Sequence, residues 1–194
     1  MTPTPPVHPG QLFVFSGPSG TGKGTVLSAL QARHPELWFS VSATTRSPRP
    51  TEVEGRDYLF VSRERFEELI AKEGLLEWAE VFENYYGTPR APISKHTAAG
   101  IDCLLDIDTQ GALQVRERMP EAILVFLKPP SLEALRERLI KRGTEDPVEI
   151  ERRLAAATGE MAHESVYNHI LVNVTVEETV ARIESIITAH RPEE

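Results

Sequence analysis

The stretch FVFSGPSGTGKGTV, residues 13–26, constrains the fold more than any other part of the chain. It places a glycine-rich loop between an apolar run at 11–16 and a segment of helical periodicity at 23–33. A strand, a glycine loop and a helix in this order are the context of the phosphate-binding pattern G-x-x-x-x-G-K-[ST]. Gly17, Gly22 and Lys23 match this pattern, whereas Gly24 stands where a metal-binding hydroxyl is expected. The sequence therefore predicts a phosphate site with an altered metal position.

Phosphate binding by such a loop depends mainly on its backbone. Successive N–H groups and the N-terminus of the following helix point at phosphate oxygens, and glycines let the chain come close. Lys23 is predicted to reach the terminal phosphates as a compact positive charge. The alternative is a glycine-rich turn that contains a lysine by chance. The residues predicted to bind the nucleotide phosphates are Gly17, Pro18, Ser19, Gly20, Thr21, Gly22, Lys23, Gly24 and Thr25.

Two carboxylates stand at the end of a second apolar run, residues 101–107. Asp106 lies near the end of this run and Asp108 directly after it, where ligands sit in open α/β sheets, and strand alternation places both on one side. Magnesium keeps several water molecules, so carboxylates can hold it through water where a direct hydroxyl ligand is missing. We therefore predict a Mg²⁺ site supported by Thr25, Asp106 and Asp108, mostly through water. Alternatively, one of the two acids caps a helix.

The other apolar runs predict the fold class. Runs at 38–43, 122–127 and 169–173 alternate with helical segments. This alternation predicts an α/β fold with a mostly parallel sheet flanked by helices.

Two stretches do not join the alternation. The first, residues 44–92, is a polar stretch of short strands and a helix, and its segment ENYYGTP, residues 83–89, is interpreted as a turn. The second is an arginine-rich helical hairpin, in which Ser131 is predicted to cap a helix that Gly143 ends. The proline-rich start is expected to be disordered. The predicted domains are a lead-in at 1–10, a core at 11–43, 93–128 and 166–194, an insert at 44–92 and an arm at 129–165.

Composition limits the partners. The net charge of −8 argues against general nucleic-acid binding, which favours a basic surface, and no apolar stretch is long enough to span a membrane. The first ten residues lack the pattern of a signal peptide. Cys103 is the only cysteine, and within IDCLLDI a buried, inert thiol is expected. We expect a cytoplasmic protein, and no feature of the sequence indicates an oligomeric state.

Residues 44–60 carry the most specific pattern in the chain. They read TTRSPRPTEVEGRDYLF and match every specified place of T-[ST]-R-x-x-[KR]-x-x-[DE]-x-x-G-x-x-Y-x-[FY], the signature of guanylate kinases. Further segments that resemble this family extend from GPSGTGKGT through LLDIDTQG and RLIKRGTED to ILVN. The chain is thus similar to P-loop nucleoside monophosphate kinases, in which glycine also occurs at the place of Gly24. The resemblance implies transfer of the γ-phosphoryl group of MgATP to GMP, or dGMP, in purine nucleotide metabolism.

The resemblance implies a site for the phosphate of GMP in this segment, and the side-chain chemistry agrees. Arg46 and Arg49, three residues apart in a polar loop, can hold one phosphate from two sides. Tyr58 and Tyr86 can donate hydroxyl groups to the same phosphate. The alternative is a solvated basic loop with two core tyrosines.

The resemblance also implies which residues bind the guanine base. Guanine presents N1–H and N2–H₂ as adjacent donors, which suit a carboxylate, and the family places Glu77 there, with the hydroxyls of Ser42 and Thr88 nearby. Glu77 could instead be a solvent-facing strand residue. The residues predicted to bind GMP are Ser42, Arg46, Arg49, Tyr58, Glu77, Tyr86, Gly87, Thr88, Asp106 and Asp108.

The arginine-rich arm resembles the lid that closes over ATP in these kinases. Arg138, Arg142 and Arg153 are implied as contacts to the transferring phosphoryl group, and Asn173 is expected near adenine. The alternative is a solvated face on which the arginines pair with glutamates. With Lys23, the three arginines form the predicted catalytic set. No general base is required, because a phosphate monoester is already mostly ionised at neutral pH.

Two other functions stay open at this point. Guanylate-kinase-like domains of some scaffold proteins bind phosphorylated partners without catalysis, but they tend to have a degraded phosphate loop and lid. Gly22, Lys23, Arg142 and Arg153 are all present here. The other possibility is a kinase for a different nucleotide or small metabolite, against which the signature at 44–60 argues.

Overall fold

A computed structural model describes residues 8–143 and 146–191. The strands are β1 (Leu12–Ser16), β2 (Trp38–Phe39), β3 (Ala43–Thr44), β4 (Leu59–Phe60), β5 (Leu75–Val81), β6 (Asn84–Pro89), β7 (Cys103–Asp106), β8 (Ile123–Lys128) and β9 (His169–Val172). The helices are α1 (Lys23–Arg33), α2 (Arg63–Ala71), α3 (Arg90–Ala98), α4 (Thr109–Arg118), α5 (Leu132–Arg142), α6 (Pro147–Met161) and α7 (Val176–Ala189), with a short 3₁₀ turn at Glu164–Val166.

The main sheet is parallel throughout, with strand order β2-β7-β1-β8-β9. Strand β1 lies at its centre and is buried along its whole length. Phe13 and Phe15 pack with α1 and α7 on one face, and Val14 packs with α3 and α4 on the other. Both faces are therefore covered, which explains why β1 and β8 are continuous apolar runs instead of alternating ones. The predicted α/β class is confirmed.

The second sheet is mixed, with strand order β4-β3-β6-β5. One of its faces packs on α2 through a small core of Ala43, Phe66 and Leu75. The prediction of a turn at 83–89 is wrong, because residues 84–89 form β6, which pairs antiparallel with both β3 and β5. The reversal is confined to Phe82 and Glu83, which adopt positive φ. Tertiary pairing on both sides outweighs the turn-forming residues.

The expected strand at 38–43 is divided between the two sheets. Trp38 and Phe39 pair with β7 of the main sheet, whereas Ala43 and Thr44 pair with β4 and β6 of the second one. Ser40 still donates its N–H to the Leu104 carbonyl, so the chain leaves the main sheet just after that residue. This short crossing places the second sheet beside the carboxyl end of the first.

The arm contains α5 and α6, which pack through Leu135, Leu139 and Leu154. As predicted, Ser131 caps α5 by accepting a hydrogen bond from the Ala134 N–H, and Gly143 ends it in the left-handed conformation. The predicted lead-in falls mostly on residues 1–7, which lie outside the described residues, as do 144–145 of the arm and 192–194.

The buried aromatic core generates a prediction for stability. Phe126 on β8 is fully buried, whereas Phe82 is 93% exposed. We expect F126A to lower the free energy of unfolding by about 3–5 kcal/mol, through lost transfer energy and a cavity. F82A, the matched control, should change it by less than about 0.5 kcal/mol. Urea denaturation followed by circular dichroism measures both, and equal losses would contradict the placement of these two rings.

Candidate active site

The glycine loop joins β1 to α1 and lines a cavity of about 630 Å³ at the carboxyl edge of the main sheet. Gly17, Gly20 and Gly22 all adopt positive φ. At Gly17 a side chain is excluded, because a Cβ there would lie 2.0 Å from the Leu127 carbonyl oxygen. No side chain caps α1 at Gly22. The first N–H groups of the helix are thus available to an anion.

Lys23 lies at the start of α1, and its side chain crosses to the end of β7. Its Nζ donates to Asp106 Oδ1 over 2.5 Å and to the Ile107 carbonyl over 3.3 Å. The ammonium group is therefore held at the boundary between the loop and the neighbouring strand. A phosphate entering the cavity would meet a cation whose position is already set.

Gly24 and Thr25 follow Lys23 on the helix and line the same cavity. A Cβ built on Gly24 would have no neighbouring atom within 4 Å. The departure from the usual hydroxyl at position 24 is thus not imposed by crowding. Thr25 supplies a hydroxyl one residue further on, and it is exposed.

Three carboxylates line the cavity, those of Asp106, Asp108 and Glu160. Asp108 caps α4, because its Oδ1 accepts a hydrogen bond from the Gly111 N–H over 2.7 Å. Asp108 thus caps the helix and lines the cavity at the same time, so the helix cap and the predicted metal-binding position do not exclude each other. Asp106 is instead paired with Lys23.

Glu160 is a cavity residue that the sequence interpretation missed. It lies on α6, and Thr109 Oγ1 donates to its Oε2 over 3.3 Å. Burial raises the pKa of Glu160, and the charge of Asp108 raises it further, against the opposing effects of Thr109 and Lys23. No local pattern distinguished it, because only the docking of the arm brings α6 over the loop.

The arm contacts the loop through two arginines with different roles. Arg138 donates to the carbonyls of Thr21, over 2.9 Å, and of Asn173, over 2.8 Å. Arg153 instead donates to Ser19 Oγ over 2.7 Å and to Glu149 Oε1 over 3.1 Å.

Asn173 and Arg142 complete the contacts between the arm, the last strand and the loop. Asn173 is buried, and its Nδ2 donates to the Thr21 carbonyl over 2.6 Å. Two donors thus converge on a single carbonyl of the loop, that of Thr21. Arg142 lines the cavity itself. Loop residues 17–25, Arg138 and Arg142 thus surround one cavity. Arg153 contacts the loop at Ser19, and Arg138 and Asn173 are bonded to the backbone of the loop.

The face of the second sheet opposite to its core carries four of the residues predicted for GMP, namely Ser42, Glu77, Tyr86 and Thr88. Gly87 instead faces the core, where a Cβ on it would lie 3.1 Å from the ring of Phe66. In the observed register, Tyr86 pairs with Thr44, and Glu77 pairs with Thr88. Continuing the β3–β6 register by one step places Ser42 beside Thr88. Because side chains alternate along a strand, these residues share the face that α2 leaves uncovered.

Glu77 is buried, with 8% of its surface exposed. Thr88 Oγ1 donates to Glu77 Oε1 over 2.6 Å. Burial raises the pKa of Glu77 to about 6, and the charge of Asp108 adds to this, whereas Thr88 and Arg118 lower the pKa. Glu77 is thus not the solvent-facing strand residue that the sequence left open.

Arg46 is held by Glu52 in a bidentate pair, with N–O distances of 3.0 and 2.8 Å. Its guanidinium lies 5.5 Å from the centre of the Tyr58 ring, and the Glu52 pair raises the pKa of Arg46. Arg49 has a side chain that is 72% exposed. Glu52 was not predicted as a site residue, although it occupies the acidic place of the signature.

Comparisons with known proteins agree with this geometry. The family model described as guanylate kinase matches residues 10–190. The chain belongs to the guanylate kinase family. It is 51% identical over 192 residues to the guanylate kinase of Gloeobacter violaceus, covering 98% of this chain and 94% of that one. With the Streptomyces coelicolor guanylate kinase it shares 56% identity over 181 residues, 93% of this chain and 91% of the relative.

A solved structure resembles the fold of this guanylate kinase family member. The crystal structure of guanylate kinase from Anaplasma phagocytophilum matches with a TM-score of 0.72 and 37% identity, covering 96% of this chain and 88% of that one. The family predicted from the signature at 44–60 is thus confirmed, whereas the roles of individual site residues stay predictions. Within residues 8–143 and 146–191, no helix is long and apolar enough to cross a bilayer.

The raised pKa of Glu77 predicts how stability depends on pH. Because the folded state holds this proton more tightly than the unfolded state, the free energy of unfolding contributed by Glu77 falls as pH rises from about 4.5 to above 6. In E77Q this loss of stability is absent, because glutamine does not titrate. We therefore expect the stability of E77Q relative to the parent protein to rise by about 2 kcal/mol between pH 4 and pH 8.

The control is E80Q, at the exposed end of the same strand. Its stability relative to the parent protein should not follow the same pH profile. Denaturant titrations at several pH values measure both differences. A difference for E77Q that is flat across this range would show that Glu77 has no raised pKa.

Proposed function

We propose that this protein transfers the γ-phosphoryl group of ATP to GMP, or to dGMP, and so produces ADP and the guanosine diphosphate. The observation that carries the proposal is the junction at Gly111, at the start of α4. A Cβ on Gly111 would lie 3.0 Å from Glu77 Oε2 and 3.4 Å from Asp108 Oδ1. Glu77 belongs to the uncovered face of the second sheet, and Asp108 lines the cavity of the loop. In this proposal, the donor and acceptor sites adjoin at the start of α4.

We propose that Glu77 recognises the guanine base, with Thr88 and Ser42 beside it and Gly87 at the same strand. Its carboxylate matches the paired N1–H and N2–H₂ donors of guanine. Adenine lacks both groups and would leave a buried charge without a partner. Sites built on such hydrogen bonds discriminate by roughly 10⁴-fold or more.

The phosphate of GMP is proposed to bind at the other end of the same face. Arg46, Tyr58 and Tyr86 lie together there, with ring centres of the two tyrosines 6.0 Å apart. Glu52 fixes the guanidinium of Arg46 before the substrate enters, which reduces the ordering needed on binding. Arg49 is exposed, lies 4.0 Å from the same Glu52 carboxylate, and is proposed as the second cation of this site.

Catalysis in this proposal consists of positioning and charge neutralisation. The acceptor phosphate of GMP is mostly ionised at neutral pH, so no side chain has to remove a proton. Lys23, Arg142 and Arg153 supply positive charge around the transferring group, and the arm excludes water from it. Arg138 and Asn173 keep the Thr21 carbonyl in place, so their contribution to ATP binding passes at least partly through the shape of the loop.

We propose that the cavity of the glycine loop can hold magnesium. Thr25, Asp106 and Asp108 line it with oxygen atoms, and Mg²⁺ is usually held by one or two carboxylates, water and substrate phosphates. When bound, the ion would neutralise charge on the phosphates. Asp106 and Asp108 also have protein partners, Lys23 and the Gly111 N–H, which favours contact through water.

We further propose that the protein acts in the cytoplasm, where ATP and GMP are available, and that nucleotides are its partners. The net charge of −8 does not favour nucleic acid as a partner.

The proposed reaction predicts a pattern of acceptors. In an assay that couples ADP release to a signal, MgATP with GMP should give rapid turnover, and AMP, CMP and UMP should give little. The base preference should be lost in E77Q, with kcat/KM for GMP reduced by about 100-fold or more. A folded protein that binds GMP but phosphorylates no acceptor would instead favour a phosphate-binding scaffold module.

Lys23 provides a separate test of the donor site. K23M should reduce kcat by at least about 100-fold, since the ammonium stabilises charge that develops in the transition state. K95M, on the exposed surface of α3, is the matched control and should keep the parent rate. Full turnover by K23M would refute the role of the glycine loop.

A further inference from the structure

A second cavity, of about 500 Å³, lies beside strand β5 and outside the site described above. Its lining comes from the insert and from the core helices on either side of it. The lining residues are Ile70, Glu73, Leu75, Trp78, Arg90 and Arg118. The volume is within the range that small ligands occupy in proteins, and the mixture of an apolar wall with a few charged groups is typical of such sites.

Two of the lining residues are arginines from different helices. Arg90 opens α3, and Arg118 closes α4. Within the described part of the chain, neither guanidinium forms an ion pair with a carboxylate, Glu73 included. Arg118 makes only long contacts, of 3.4 and 3.3 Å, to the carbonyls of Leu75 and Leu76. Because arginine stays charged, the cavity holds two cations with unused donors that could bind an anion.

The apolar wall of the cavity is preformed. The backbone of Trp78 is held on both sides by Gln114, whose Oε1 accepts from the Trp78 N–H over 3.2 Å and whose Nε2 donates to the Trp78 carbonyl over 2.9 Å. Tyr85 packs edge-on against the indole with ring centres 5.7 Å apart. An indole fixed in this way offers a surface on which a planar ring can stack.

We propose that this cavity binds a planar aromatic anion, with its acidic group on Arg90 and Arg118 and its ring against Trp78, and that its occupation weakens the binding of GMP. The carboxylate of Glu73, which also lines the cavity, disfavours ligands of high negative charge and can accept an N–H from the ring system. The effect on GMP binding depends on the GMP site proposed above, whereas the binding of an aromatic anion in this cavity does not.

The coupling follows from strand β5, which separates the two sites. Glu77 and Trp78 are adjacent and point to opposite faces of the sheet. Arg118 supports the charged form of Glu77, since it lowers the pKa of that carboxyl against the effect of burial. An anion on Arg118 offsets this support. GMP requires the charged carboxylate, so the two ligands oppose each other.

The experiment uses the two tryptophans of the chain, Trp38 and Trp78. Their indole N–H signals are resolved by ¹H–¹⁵N NMR and assigned with W38F. Titration with 2-naphthoate or 2-naphthyl phosphate should shift the Trp78 signal, and the two probes distinguish a carboxylate from a phosphate ligand. Neutral 2-naphthol should bind at least about tenfold more weakly, because it cannot pair with the arginines.

Variants locate the anion. R90Q and R118Q should each weaken binding of the better probe by about tenfold or more, since each removes a charge-assisted hydrogen bond. R65Q, an exposed arginine on the outer surface of α2, is the matched control and should bind like the parent protein. An unshifted Trp78 signal, equal binding of 2-naphthol, or an equal loss in R65Q would overturn the site.

The coupling is measured separately. Calorimetric titration of GMP should give a weaker affinity when 2-naphthoate is present, and this effect should disappear in R90Q. Probe binding at Trp78 without any change in GMP affinity would overturn the coupling. Because neither readout requires turnover, a failure of the proposed phosphoryl transfer would leave both results interpretable.

Discussion

The carboxyl end of strand β1 is the constraint on which the rest of the structure depends. This strand is buried between β7 and β8, so the chain can leave it only through a tight loop at the sheet edge. Gly17 has no room for a side chain against the Leu127 carbonyl, and the loop must therefore turn on glycine. The same geometry directs the N-terminus of α1 into the cavity. The proposed phosphate site is thus a consequence of how the central strand ends.

In the second sheet, side-chain alternation places the core residues on one face and Glu77, Thr88 and Ser42, which are proposed to bind the base, on the other. The core face packs on α2, and the opposite face carries the hydroxyl and carboxyl groups of these three residues. This division allows Glu77 to be buried at the edge of the core without disturbing it. The raised pKa of Glu77 predicts that its carboxylate lowers stability near neutral pH, and perturbed carboxylates of this kind cluster at functional sites.

The arm and the loop are joined by contacts between residues distant in sequence. Arg138 and Asn173 both donate to the Thr21 carbonyl, so the loop is bonded both to α5 and to the segment after β9. Arg153 reaches Ser19 from α6. The arginines of the arm therefore have different contacts: Arg138 bonds to the backbone of the loop and also lines the cavity, Arg142 lines the cavity, and Arg153 contacts Ser19.

The sequence by itself determined the α/β class, the glycine loop with Lys23 and the family, because these depend on local periodicity and on a signature of fixed spacing at 44–60. It also placed the cap at Ser131 and the end of α5 at Gly143, which depend only on neighbouring residues. Strand β6 was missed, since its pairing with β3 and β5 overrides the turn-forming residues within it. Only the tertiary structure decided that Glu160 lines the cavity, that Asp108 both caps α4 and lines the cavity, and that Arg138 donates to the Thr21 carbonyl. Each of these depends on the approach of segments far apart in the chain, which no local pattern encodes.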